Sequence, residues 1–453
     1  MSLSVSANFE STPKLRGLNS NFENSSSSLI NIKNGVNISK KLIGQALKQR
    51  VESIDHNICE AGDEDPFFVA DLGEVYRQHM RWKINLPRIR PFYDCKSNIS
   101  TAVKCNPDPN VIRLLAKLGT GFDCASMAEI EQVMMFDVEP ARIIYAQPCK
   151  TNSYVRYAAS RGVKQMTFDN TDELYKIKQL FPDAELFLRI STDDSSSLCR
   201  LSLKFGASMH LTGQLLDLAK TLGLCVVGVS FHVGSAASDP LAFRKAVQDA
   251  QIVFEQAAAR GFHLRTLDIG GGFTSENFEP MAATLSQALD DLIPSHVNVI
   301  GEPGRYYVAT AFTLASHVIA RRTIEDPETK KIGYMLYLND GLYGNFSSIL
   351  FDHQYPQAKI LRTDNLIYFD DESAQQSNNG IVYSIWGPTC DGIDCITERI
   401  YFEHTINVGD WFYFEEMGAY TKCSATRFNG FTNSHDTIYV ISEPGARLLL
   451  GMD

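Results

Sequence analysis

Lys104 stands in the run Ala102-Val-Lys-Cys-Asn-Pro-Asp-Pro109, a lone cation among apolar and small residues that read as strand. Helix-start signals follow at once. Asp108 suits an N-cap, Pro109 the first helical position, and Val111 to Leu118 carries the helical apolar period before Gly119 ends it. A lysine at the end of a buried strand loses hydration, its pKa falls, and the neutral amine can form a Schiff base with a carbonyl. The alternative is a strand-end lysine reaching to solvent.

Other groups fit the same chemistry. Gly270, Gly271 and Gly272 follow a strand, and consecutive glycines let backbone N–H groups approach an anion; a plain turn is the other reading. Ser235, closing His232-Val-Gly-Ser235, offers a hydroxyl to that anion. Glu302, Pro303, Gly304 and Arg305 close a later strand and bring a carboxylate and a guanidinium to one place. Taken singly, Glu302 and Arg305 also read as a rim ion pair, and His232 as a hydrogen-bonded core histidine. Taken together, these residues supply an amine, an imidazole able to stack on a flat ring, a carboxylate for a pyridinium N–H and a phosphate cradle. Those are the parts that pyridoxal 5'-phosphate requires.

Such groups need a frame that gathers strand ends. Short apolar strands are expected at 122–125, 142–146, 165–168, 186–190, 226–233, 267–270 and 297–301, with helical stretches between them. With the Lys104 strand they make eight strand–helix units, the period of a (β/α)8 TIM-like barrel and a better match than an open doubly wound sheet. The polar residues fall at the C-terminal strand ends, where barrel enzymes collect catalytic groups. After about Tyr307 the alternation gives way to strands and turns. The expected organisation is a disordered Ser/Asn-rich tail over 1–41, a segment 42–70 joining the β domain, a cofactor-binding barrel over 71–311 and an all-β domain over 312–453.

Composition narrows the class. A net charge of −11 argues against a nucleic-acid groove. Ten cysteines without a CxxC pair argue against a zinc or other metal site and against a disulfide framework, and suit reduced thiols in the cytoplasm. No apolar run reaches membrane-spanning length, so no membrane segment is expected.

The motifs Ala102-Val-Lys-Cys-Asn106, Gly121-Phe-Asp-Cys-Ala-Ser126, Ser230-Phe-His-Val-Gly-Ser235, Asp268-Ile-Gly-Gly-Gly-Phe273, Glu302-Pro-Gly-Arg-Tyr-Tyr307, Asn339-Asp-Gly-Leu-Tyr343, Trp386-Gly-Pro-Thr-Cys-Asp391 and Met417-Gly-Ala-Tyr420 resemble those of the eukaryotic ornithine decarboxylases. These are pyridoxal-phosphate enzymes with an alanine-racemase-like barrel plus a β domain. The resemblance runs from about residue 60 to the end. It implies decarboxylation of L-ornithine to putrescine, with Lys104 holding the cofactor, His232 against its ring and Glu302 on the pyridinium nitrogen. It further implies that Ser235, Gly270 to Gly272, Pro303, Gly304, Arg305 and Tyr420 surround the phosphate, and that Asp123, Glu129 and Arg189 order the lysine's surroundings. The family is a homodimer with shared sites. Cys390 would reach the neighbouring barrel and protonate Cα, Asp352 and Asp391 would flank the substrate's distal amine, and Tyr343, Phe351 and Phe428 would lie beside them. Regulation by an antizyme-type partner belongs to the same resemblance.

The chain departs from the family at Asp94-Cys-Lys-Ser-Asn-Ile-Ser-Thr101, which interrupts Pro-Phe-Tyr before Ala-Val-Lys within the expected first strand, either looping out near its N-terminal end or with Ile99-Ser-Thr101 substituting for the displaced part. Lys96 thereby stands at the family lysine's offset from Pro91 and rivals Lys104; the undisturbed spacing from Lys104 to Asp123 favours Lys104. Phe351 replaces a usual tyrosine. Two other readings stay open: a non-catalytic relative of the antizyme-inhibitor type, and a decarboxylase of lysine, arginine or diaminopimelate.

Overall fold

The computed structural model of the chain describes residues 25–55, 58–94, 105–325, 330–374, 376–378, 380–432 and 435–452. Lys96, Lys104 and the stretch Ala102–Lys104 lie outside the described residues.

Eight parallel strands, Ile89–Asp94, Gly121–Cys124, Ile143–Tyr145, Gln165–Phe168, Glu185–Arg189, Cys225–Ser230, Thr266–Asp268 and Asn298–Gly301, close into a barrel in chain order. Phe92, Ile144, Ala146, Phe187, Val227 and Ile300 fill its interior, while the larger apolar core lies between the strands and the surrounding helices. The helix Pro109–Leu118 has the ends that its sequence dictates. Asp108 accepts from the N–H groups of Asn110 and Val111 at 3.0 and 3.2 Å, and Gly119 closes it at φ 84°. A side-chain cap of this kind contributes about 1 kcal/mol.

The first barrel strand differs from expectation. It is Ile89–Asp94, so the expected interruption begins at this strand's last residue. The register explains why: Gly301 pairs with Pro91 on one side, and Phe92, Tyr93 and Asp94 pair with Gly121, Phe122 and Asp123 on the other. Both neighbours pin the strand as far as Asp94.

A nine-stranded sheet follows, built on the long strand Phe312–Glu325. The strand Phe67–Asp71 pairs antiparallel with it, Phe67 opposite Ala315, and parallel with Thr437–Val440. The segment expected to be disordered to Lys41 is instead helical from Ser25, in a helix running to Glu52; residues 1–24 lie outside the described residues. The inward positions Gly35 and Ser39 are small rather than apolar, which hides the helical period, and Ser39 donates to the buried Asp71 at 2.6 Å. No helix among the described residues is long and apolar enough to cross a membrane.

Candidate active site

The C-terminal ends of the strands gather carboxylates. Asp123 stands next to last in its strand, buried, and Asp268 ends another, also buried, with Oδ1 accepting the Gly270 N–H at 3.0 Å. Asp268 is hydrogen-bonded to the side chain of Glu302, the residue after the eighth strand. Burial foremost, with the charge of Asp123, pushes the Asp268 carboxyl up to about 7, against the Gly270 N–H, Glu302 and the Arg189 guanidinium. A carboxyl–carboxyl hydrogen bond requires a proton on one partner. Arg189 itself lies over the Phe205 ring at 5.4 Å. The Gly234 N–H donates to His232 Nδ1 at 2.9 Å, so that nitrogen is the acceptor and the ring's orientation is fixed.

Beside this cluster the three glycines pack where a side chain has no room. A Cβ on Gly270 would lie 2.3 Å from the Phe231 carbonyl, on Gly271 2.8 Å from that of Glu302, and on Gly272 2.9 Å from that of Gly234. Gly270 and Gly272 also have φ of 63° and 111°. Pro303 precedes the short helix Gly304–Val308, which carries Arg305. The Arg305 Nη2 reaches Ser235 Oγ at 3.3 Å and Asp352 Oδ2 at 2.5 Å, and its guanidinium lies 4.8 Å above the Tyr420 ring. Its buried Nε has no hydrogen-bond partner among the described residues. Tyr420 sits at φ 57°, with its N–H on the Cys105 carbonyl at 3.0 Å.

These features fit pyridoxal phosphate. The glycine cradle and the orphaned Arg305 Nε face the needs of a phosphate, and the proton-requiring Asp268–Glu302 pair suits a pyridinium N–H. Asp94, 8% exposed, adjoins the start of that short helix: a Cβ on Gly304 would lie 3.4 Å from its Oδ2.

The remaining expected residues form a second cluster in the β domain. Tyr343 donates its hydroxyl to Asp391, which holds that carboxyl below its usual range, and stacks on Phe428 at 4.3 Å. The exposed Cys390 donates its N–H to Asn429 Oδ1 at 3.0 Å. Among the described residues, Tyr343, Cys390, Asp391 and Phe428 make no hydrogen bond or ring contact with the barrel mouth. Phe351 is 67% exposed, whereas Asp352 beside it is buried.

Three further residues join the site that sequence reasoning passes over. Asp268 carries a signal, an acid at a strand end two residues before the glycines. Cys199 carries none; its thiol lies 3.5 Å from Asp352 Oδ1, and burial together with that charge pushes it up to about 11. Asp94 reads in sequence only as the first inserted residue. Glu129 Oε2 accepts the Ala125 N–H at 2.5 Å and its own N–H meets Ser126 Oγ at 3.3 Å, closing the start of the helix Met127–Met134. Lys150 is a fully buried lysine, but Glu173 at 2.9 Å and the carbonyls of Gln147 and Thr167 occupy its ammonium, which leaves it structural.

Residues 72–309 match the family model described as pyridoxal-dependent decarboxylase, pyridoxal binding domain. The ornithine decarboxylase of Neurospora crassa is 63% identical, with 92% of this chain and 90% of that protein covered. The ornithine decarboxylase of Mus musculus is 44% identical, with 90% and 87% covered. The crystal structure of the Paramecium bursaria Chlorella virus arginine decarboxylase bound to agmatine superposes with a TM-score of 0.77 at 31% identity, covering 88% of this chain and 100% of that one.

Proposed function

The chain belongs to the pyridoxal-dependent decarboxylases, and from that premise we infer that it decarboxylates L-ornithine to putrescine and CO2, the first step of polyamine synthesis. The observation that carries the reading is the barrel mouth itself, where an acid pair suited to a pyridinium N–H adjoins a glycine and arginine cradle.

Bound pyridoxal phosphate supplies an electron-poor ring that accepts the electron pair left on Cα as CO2 departs. This chain's residues prepare that event. Glu302, backed by Asp268, holds the ring nitrogen's proton, and the charges of Asp123 and Arg189 balance around them. His232, oriented by the Gly234 N–H, lies against the ring. Ser235, Gly270 to Gly272, Arg305 and Tyr420 hold the phosphate. Lys104 is the covalent anchor in this reading. Its sequence neighbour Cys105 supports that choice over Lys96, being buried and tied through its carbonyl to Tyr420 N–H and to Cys423 Sγ at 3.2 Å.

The Cys390 thiol delivers a proton to Cα, and Asp352 and Asp391 bracket the distal ammonium. The separation of the second cluster from its own barrel mouth supports a homodimer in which each chain's Cys390 and Asp391 serve the partner's barrel. Placement in the cytoplasm and control by an antizyme-type protein belong to the same reading and rest on the family resemblance.

Carboxyl-labelled ornithine with saturating cofactor tests the reaction, and labelled CO2 is the expected product. Borohydride reduction followed by peptide mass mapping tests the anchor. Cofactor on Lys104 is expected; cofactor on Lys96, or none with no CO2, overturns the assignment.

A further inference from the structure

The barrel has a second open end, opposite the strand termini that carry the chemistry. There the N-terminal strand ends enclose a cavity of about 460 Å³, walled by Arg88, Arg90 and Arg265, the carboxylate of Glu185, and the rings of Phe92 and Phe187. Three guanidinium groups therefore face one carboxylate, in a chain whose net charge is −11.

That single carboxylate is engaged, since Glu185 Oε1 lies 2.9 Å from Arg265. Arg88 spends its terminal nitrogens on the carbonyls of Leu289, Ile293 and Pro294, and its buried Nε has no partner among the described residues. The nearest acid to it, Asp290, is exposed and 3.4 Å away. Arg90 is exposed, lies 5.6 Å above the Phe92 ring and forms no ion pair among the described residues. Its charge also bears on Arg142, whose pKa is lowered by burial first and by Arg90 second. The result is a concave, partly apolar site with an excess of positive charge centred on Arg90, and concave low-dielectric walls concentrate such a field on an incoming anion.

We propose that the N-terminal end of the barrel is a binding site for phosphate-class polyanions, read by Arg90 and Arg265 with Arg88 behind them. Guanidinium forks match phosphate oxygens in pairs, and the Phe92 and Phe187 rings form an apolar floor beneath them. The site is distinct from the cofactor's phosphate cradle, because Arg305 stands at the opposite strand ends.

Calorimetric titration of the cofactor-saturated protein with inorganic pyrophosphate at low ionic strength tests this. Saturable binding is expected, weakened at least tenfold in Arg90→Gln and in Arg265→Gln, and restored in large part by Arg90→Lys. Added salt should weaken it further. Ornithine turnover should be unchanged in Arg90→Gln. ATP serves as the second probe: equal affinity assigns recognition to the phosphates alone, and tighter binding adds stacking on the aromatic floor, both in support. No saturable heat in the wild type, or the same affinity in the wild type and both glutamine variants, overturns the proposal.

Discussion

Arg305 Nη2 and Asp352 Oδ2 lie 2.5 Å apart, with side chains only 9% and 7% exposed, so a residue expected on the cofactor phosphate and one expected on the substrate's distal amine form a single buried ion pair. Cys199 adds its thiol to the same carboxylate. Phosphate and substrate ammonium would each draw one partner away from the other, which ties cofactor and substrate sites through one contact.

Arg305→Ala should lower cofactor affinity about ten- to a hundredfold, because a hydrogen bond to a charged group is worth about 1.5–3 kcal/mol. Titration of the bound cofactor's visible absorbance measures it. An unchanged midpoint would remove Arg305 from the phosphate site.

Asp352→Asn should raise the ornithine KM by about tenfold or more, since stripping one partner from a buried charge pair costs about 3–5 kcal/mol and partial solvation reduces that, and Asp391→Asn should raise it as well. Steady-state kinetics at saturating cofactor decide it. Wild-type KM in both variants would exclude the two carboxylates from the amine pocket.

Lys104→Ala and Cys390→Ala should each be inactive alone yet recover activity when refolded together. A mixed dimer with shared sites carries one barrel with an intact lysine facing an intact partner cysteine. No recovery on mixing would place both residues in a site built from one chain.

The pH dependence of the cofactor-free protein should report Asp268. Its carboxyl keeps a proton to about pH 7 when folded, against 3.8 ordinarily. The folded state therefore binds the extra proton inside that window, and stability falls as pH rises from about 4 to 7. Asp268→Asn, neutral throughout, should flatten the plot of Tm against pH there. Parallel plots for the two proteins would contradict the assignment.

Much of this was legible in the chain. The (β/α)8 period, the caps of Pro109–Leu118 and the residues of the glycine cradle follow from local rules, because strand alternation, helix ends and φ > 0 positions each constrain residue type within a few positions. The sequence by itself thus determined the kind of frame and most of the groups that could do chemistry on it. Only the tertiary structure decided which of them meet. The joining of Arg305 to Asp352, the approach of Cys199, the proton needed between Asp268 and Glu302, and the separation of Cys390 and Asp391 from their own barrel depend on contacts across tens of residues. The first strand makes the same point. Tyr93 and Asp94 are fixed by pairing with Phe122 and Asp123, a relation between strands that no local pattern around Lys104 encodes. Side-chain type is local, but burial and pairing are properties of neighbours brought together by folding.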